Sequence, residues 1–118
     1  MRFEIYDYQS MQTAIAELCQ RLKDLEVSED GLFHSRLVAN ELVGNVLRHS
    51  GGRAVLHGQV NGGFIELTLV SEFPFSPPKH STCAGVYSEN GRGLFLVDEV
   101  SVERTLTEQG DIVVRIKR

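Results

Sequence analysis

Leu37-Val-Ala-Asn-Glu-Leu-Val-Gly-Asn-Val-Leu-Arg-His49 is the stretch from which the rest of the chain can be read. Val38, Leu42 and Val46 recur every four residues, and Val43 and Leu47 widen the apolar face, which is the period of an amphipathic helix. Glu41, Asn45 and His49 take the same four-residue step, so a carboxylate, an amide and an imidazole stack along one stripe bordering the face to be buried. Polar groups in that position need partners. A carboxylate and an amide oxygen one turn apart can share a Mg²⁺ and its waters, or the carboxylate can act as a base beside a metal held by the amide. On this stretch alone, an ordinary core helix with a solvated polar edge reads equally well.

Upstream, Ser28-Glu-Asp-Gly supplies a cap and acidic residues for the positive end of the helix dipole. Downstream, Ser50-Gly51-Gly52 supplies a left-handed stop. Before this helix, alternation over Arg2 to Tyr6 predicts a half-buried strand. Met11, Ile15, Leu18, Cys19 and Leu22 then mark the apolar face of a first helix capped by Ser10 and reaching about Lys23. After it, strands are expected over Arg53–Val60 and Phe64–Ser71, joined by the hairpin signal Asn61-Gly62-Gly63. Periodicity is lost between Glu72 and Asn90, where Phe73-Pro-Phe-Ser-Pro-Pro forbids regular structure. Loops of that length in so small a domain are commonly lids or binding loops, or else disordered. Gly91-Arg-Gly93 feeds a short apolar helix to Val100. A last hairpin follows over Ser101–Thr107 and Asp111–Lys117, with Ile112, Val114 and Ile116 on one face. The order β-α-α-β-β-α-β-β predicts a two-layer α/β (α+β) sandwich with a mostly antiparallel sheet covered on one face by helices.

With 118 residues the chain is read as a single domain spanning residues 1–118. Its net charge of -4, without a Lys/Arg cluster, argues against nucleic acid and anionic membranes as partners. Phosphates remain accessible ligands, since backbone N–H groups and a metal can hold them without bulk positive charge. Acidic residues interrupt the N-terminus where a signal peptide needs an apolar run, which predicts a cytoplasmic protein. Cys19 and Cys83, without a CxxC pair, read as free thiols, and His34, His49, His57 and His80 lack zinc-site spacing.

Gly91-Arg92-Gly93 at a helix start offers free N–H donors and a positive dipole end, although a short Gly-x-Gly is more often simply a turn. The third glycine and preceding βαβ strand of a dinucleotide fingerprint are missing. Taken together, the Glu-x-x-x-Asn helix, the lid-length loop and this glycine-led helix resemble the GHKL ATPase and kinase superfamily. Glu41-Leu-Val-Gly-Asn45-Val-Leu-Arg-His49 looks like its N-box and Asn90-Gly-Arg-Gly-Leu-Phe-Leu-Val97 like its G2 box. The compact size and the Arg-His after the asparagine are most similar to the anti-sigma factor serine/threonine kinases. The resemblance runs from about Phe33 to the C-terminus.

What the resemblance implies is a Bergerat-type fold that binds ATP beneath the lid, with Mg²⁺ held through Asn45. Glu41 would be the general base that deprotonates a substrate serine on a STAS-type anti-anti-sigma protein. A sigma factor or equivalent regulator would be a second partner, and a homodimer is implied. Gly91, Arg92, Gly93 and Leu94 would line the nucleotide, the glycines donating N–H groups to its phosphates. Arg92 and Lys79 either neutralise phosphate or are solvated, and His49 either borders the nucleotide or satisfies the helix end.

One segment departs from the family pattern. Where the G1 box carries an adenine-binding Asp and a glycine two residues later, this chain reads Ser71-Glu72-Phe73-Pro74-Phe75. Glu72 would have to replace the Asp with a longer side chain, and Pro74 fixes φ where close approach is wanted. Losing one charge-assisted bond to adenine costs roughly 1.5–3 kcal/mol, about ten- to a hundred-fold in affinity. The alternative is therefore a non-catalytic module that keeps the fold and sequesters a regulator. The catalytic domain of a sensor histidine kinase ranks third, because the chain has no phosphoacceptor helix hairpin and its lid is short.

Overall fold

The computed structural model describes residues 1–49, 53–71, 97–107 and 111–118. Its elements are β1 (Arg2–Ile5), α1 (Tyr8–Asp24), α2 (Glu29–His49), β2 (Ala54–Asn61), β3 (Phe64–Ser71), β4 (Glu103–Leu106) and β5 (Ile112–Lys117). Residues 97–100 are helical as well. The strands form one sheet in the order β1-β2-β3-β5-β4, and all four pairings are antiparallel. Both long helices pack on the sheet, α1 against β1 and α2 against β2, β3 and β5.

Period-two alternation explains why the helices find one apolar face. In register, Phe3, Leu56, Leu69 and Ile112 form one row of side chains, and Gly58, Leu67 and Val114 form the next. All of these are buried, against Leu18 and Leu22 of α1 and Val38, Leu42, Val43 and Val46 of α2. The opposite face carries Arg2, His57 and Thr68, then Gln59, Glu66, Arg115 and Glu103, of which only Thr68, Glu66 and Arg115 are half-buried. There the Arg115 guanidinium lies 4.4 Å from the Phe64 ring centroid and 3.6 Å from a Glu103 carboxylate oxygen. Arg104, on the helix side of β4, meets Asp98 through Nε to Oδ1 at 2.7 Å and Nη2 to Oδ2 at 3.3 Å, a two-pronged contact that fixes residues 97–100 over the sheet edge.

Helix ends correct two sequence expectations. Asp7, rather than Ser10, is the N-cap of α1: its Oδ1 accepts from the Ser10 N–H at 2.7 Å, while Ser10 Oγ accepts from the Asp7 N–H at 3.1 Å. Ser10 is thus the reciprocating third residue of a capping box, with the usual acid and hydroxyl exchanged. The Ser10 N–H holds the Asp7 carboxyl below its ordinary value. A depressed folded value means the stabilisation is present above the ordinary carboxylate range and disappears as pH falls through that folded value. The second correction is at the other end. There α1 stops in a Schellman pattern without glycine: Glu26 sits at φ 62°, Glu26 N–H donates to the Lys23 carbonyl, and Val27 N–H donates to the Leu22 carbonyl.

Ser28 caps α2 as expected, its Oγ accepting from the Gly31 N–H at 3.0 Å. Gly31 is required for another reason. A Cβ there would stand 2.7 Å from Val27 Cγ1 and 3.2 Å from the backbone carbonyl oxygen of Lys117, so the first turn of α2 lies against the end of β5. Gly31→Val is predicted to destabilise the protein by about 1–3 kcal/mol through overpacking, read as a lower urea midpoint at unchanged m. An unchanged midpoint would mean that the chain end gives way freely.

The central hairpin is as expected to within a residue. Asn61 pairs with Phe64, leaving Gly62-Gly63 as a two-residue turn. Gly62 alone has positive φ, 63°, which is the type II′ pattern and matches the sheet's twist. Cys19 is a free, half-buried thiol whose pKa is raised by burial, so it is a poor nucleophile at neutral pH. Among the described residues no helix is long and apolar enough to cross a membrane.

Candidate functional site

The site read from the sequence rests on α2. Its apolar stripe is anchored as expected, with Val38, Ala39, Leu42, Val43 and Val46 all fully buried. That anchoring fixes the helix rotation and therefore the stripe beside it. Glu41 is half-buried, and Asn45, one turn on, has no exposed surface at all. His49 is the last residue of the helix. Glu72, Lys79, Gly91, Arg92, Gly93, Leu94 and Cys83 lie outside the described residues, so of the sequence-predicted site residues the structure brings together Glu41, Asn45 and the backbone of His49.

The neighbourhood into which this stripe leads is set by the strands. Only four residues separate His49 from Ala54, the first residue of β2, and Ala54 pairs with Ser71, the last of β3. The C-terminal end of α2 and the C-terminal end of β3 therefore share one end of the molecule. The described chain stops at Ser71 and resumes at Val97, which is fully buried in the same core.

Asn45 is the least ordinary group there. Its Oδ1 accepts from Arg48 Nη2 at 2.5 Å, and its buried Nδ2 has no hydrogen-bond partner among the described residues. A buried donor left without an acceptor costs about 1–3 kcal/mol. The amide thus presents an unmet donor, suited to a phosphate oxygen or a water, while its acceptor end is occupied by a cation. Gly44 makes that contact easy, since Arg48 Nη1 lies 3.2 Å from where a Cβ would stand. Sequence reading missed the Arg48 contact, although the i, i+3 spacing of Asn45 and Arg48 was the available signal.

Whether this set fits a magnesium ion turns on Arg48. A hard cation takes amide oxygen, not amide nitrogen. Two unit charges 4 Å apart repel by about 4 kcal/mol near a protein surface, and a divalent ion doubles that. A metal on Asn45 Oδ1 therefore requires the guanidinium to move away. Because Arg48 is an exposed residue, such a rotation is inexpensive, and a phosphate offers it a bidentate alternative. With that exchange, Asn45 and Glu41 fit a magnesium nucleotide; without it, they fit an anion alone.

Grooves lined by described residues lie elsewhere. One of about 480 Å³ runs between β1 and α1, and another of about 320 Å³ separates α1 from α2 beside Cys19, Phe33 and Arg36. Neither includes Glu41 or Asn45.

Compared with models of known protein families, the chain matches none, and no curated protein matches it either.

Proposed function

We propose that this chain is a cytoplasmic ATP-binding serine/threonine protein kinase of the GHKL type, with a Bergerat-like fold, acting on a STAS-type anti-anti-sigma partner and binding a sigma factor or equivalent regulator. The observation that carries the reading is Asn45, fully buried, with its Nδ2 unpartnered one helical turn from the half-buried carboxylate of Glu41. Leaving a donor buried without a partner is tolerated where a ligand supplies the acceptor. The all-antiparallel sheet with α1 and α2 packed on it is compatible with the proposed fold.

In this reading Glu41 accepts the proton of the substrate hydroxyl. Asn45 orients the nucleotide's phosphates and metal, and Arg48 leaves the Asn45 oxygen to neutralise phosphate charge. Magnesium, when bound, supplies charge neutralisation on the transferring phosphoryl group. Gly91, Arg92, Gly93 and Leu94 would close the nucleotide's other side, with Glu72 against the adenine. Most of the rate enhancement comes from positioning and electrostatics rather than covalent chemistry by the protein. The direct test is transfer of labelled γ-phosphate from Mg-ATP to a serine of a co-encoded STAS protein. No transfer to any such protein would sink the kinase reading.

The Arg48 contact favours a second reading, a regulator-binding module that has lost nucleotide. If the guanidinium stays on Asn45 Oδ1, it occupies the one amide atom a metal could use. This reading predicts partner binding that is indifferent to ATP and unaffected by Asn45→Ala.

A further inference from the structure

The free edge of β1 carries an inference that holds whether or not the chain binds nucleotide. Among the described residues β1 is the terminal strand of the sheet, with β2 on one side and no strand on the other. The Met1 ammonium nitrogen donates to the Gly58 carbonyl at 3.0 Å, and the Gly58 N–H donates to the Met1 carbonyl at 2.9 Å, so these two residues form a mutually hydrogen-bonded pair. In an antiparallel ladder such pairs recur at every second residue. Phe3 and Ile5 therefore aim their backbone groups at β2, and Arg2 and Glu4 aim theirs outward, at the open edge.

Those two outward residues are oppositely charged, both exposed, and flank Phe3 symmetrically. The geometry points to the β1 edge as the surface on which a second copy of this chain docks, antiparallel, with Phe3 on the two-fold axis and Arg2 of each copy opposite Glu4 of the other. In that register both cross-edge pairs are hydrogen-bonded pairs, giving four backbone bonds and two ion pairs from one short strand. Shifting by two residues either way sets Glu4 against Glu4 or Arg2 against Arg2. Shifting by one turns the helix-side residues of one copy to the open face of the other. Charge and parity together leave one register.

The surroundings accept the added strand. The groove of about 480 Å³ between β1 and α1 lies beside this edge, lined by Phe3, Ser10, Thr13, Ala14 and Glu17 among others, and it leaves space for the helix-side residues of the second copy. Within one copy Arg2 and Glu4 already touch at 3.3 Å, with side chains 57% and 69% exposed. So exposed a pair contributes little, and exchanging it across the two-fold axis sacrifices almost nothing. The same charges guard the edge against unrelated neutral strands. The opposite edge, Glu103-Arg104-Thr105-Leu106, lacks this symmetry, and its arginine is held by Asp98.

The test is sedimentation equilibrium over a dilution series from millimolar to micromolar, on the full chain and on two charge-reversal variants checked for folding by circular dichroism. The wild-type chain of 13.2 kDa is expected to sediment at twice that mass at the concentrated end. Arg2→Glu and Glu4→Arg each turn both ion pairs into like-charge pairs, weakening association by about tenfold or more. An equimolar mixture of the two variants restores all four charges to opposite partners and should dimerise at least as well as the wild type. The double variant Arg2→Glu/Glu4→Arg should also recover. Monomer at millimolar concentration, undiminished dimer in either single variant, or no gain on mixing would each overturn the proposal.

Discussion

Glu41→Ala is expected to lower phosphoryl transfer from ATP by about 10²–10⁴-fold while leaving nucleotide affinity nearly unchanged. A general base acts as the proton leaves the attacking hydroxyl, so its removal is felt in the chemical step rather than in ground-state binding. Glu41 borders the buried stripe of α2 instead of contributing to it, and it is only half-buried, so its loss leaves no large cavity. The separation of the two effects is therefore interpretable. Single-turnover transfer and a nucleotide titration on the same sample measure both. If transfer survives at the wild-type rate, Glu41 is not the base. If transfer and binding fall together, the carboxylate holds the nucleotide instead.

The largest expected loss of stability comes from Leu67→Ala, at about 2–5 kcal/mol. Leu67 is fully buried at the middle of β3, directly between Gly58 of β2 and Val114 of β5 in register. Gly58 has no side chain, and the space above it is filled from two sides: Leu18 Cδ1 lies 2.9 Å and Leu67 Cδ2 3.5 Å from where its Cβ would stand. Truncating Leu67 beside a glycine leaves no neighbour well placed to collapse into the hole. The upper half of the range is accordingly expected. Set against a typical total of about 5–15 kcal/mol, such a loss would lower Tm by roughly 10 °C or more, measured by thermal denaturation. A fall of only a degree or two would show that the sheet repacks around the gap.

Much of this fold was legible because its strongest periodicities are also its buried faces. The four-residue step from Val38 to Val46 and the alternation from Ile112 to Ile116 each turned out to be a fully or almost fully buried row. Gly62-Gly63 fixed the central hairpin because few other residue pairs take that turn. The misreadings fell where local chemistry has two solutions. Asp7 and Ser10 both cap well, and only the reciprocal bonds decide which residue starts the helix. The stop of α1 went unmarked because Glu26 adopts the left-handed conformation that usually advertises itself with glycine.

The site was legible in part. Spacing alone placed Glu41 and Asn45 on one stripe. It did not reveal that Asn45 would be fully buried with a donor unpartnered, because that depends on the sheet beneath and on how Arg48 folds back across Gly44. The open edge of β1 was invisible for a similar reason: strand order, not sequence order, decides which strand lacks a neighbour.

The kinase reading rests most heavily on Asn45, and calorimetric titration with ATP and ADP, with and without Mg²⁺, alongside the Asn45→Ala variant, probes it directly. Micromolar binding that needs Mg²⁺ and vanishes in Asn45→Ala is the predicted result. It would mean that the buried amide serves the nucleotide and that Arg48 yields its oxygen. No heat at millimolar nucleotide, or binding indifferent to the Asn45 substitution, would contradict it and leave the chain as a regulator-binding module whose amide is held shut by its own arginine.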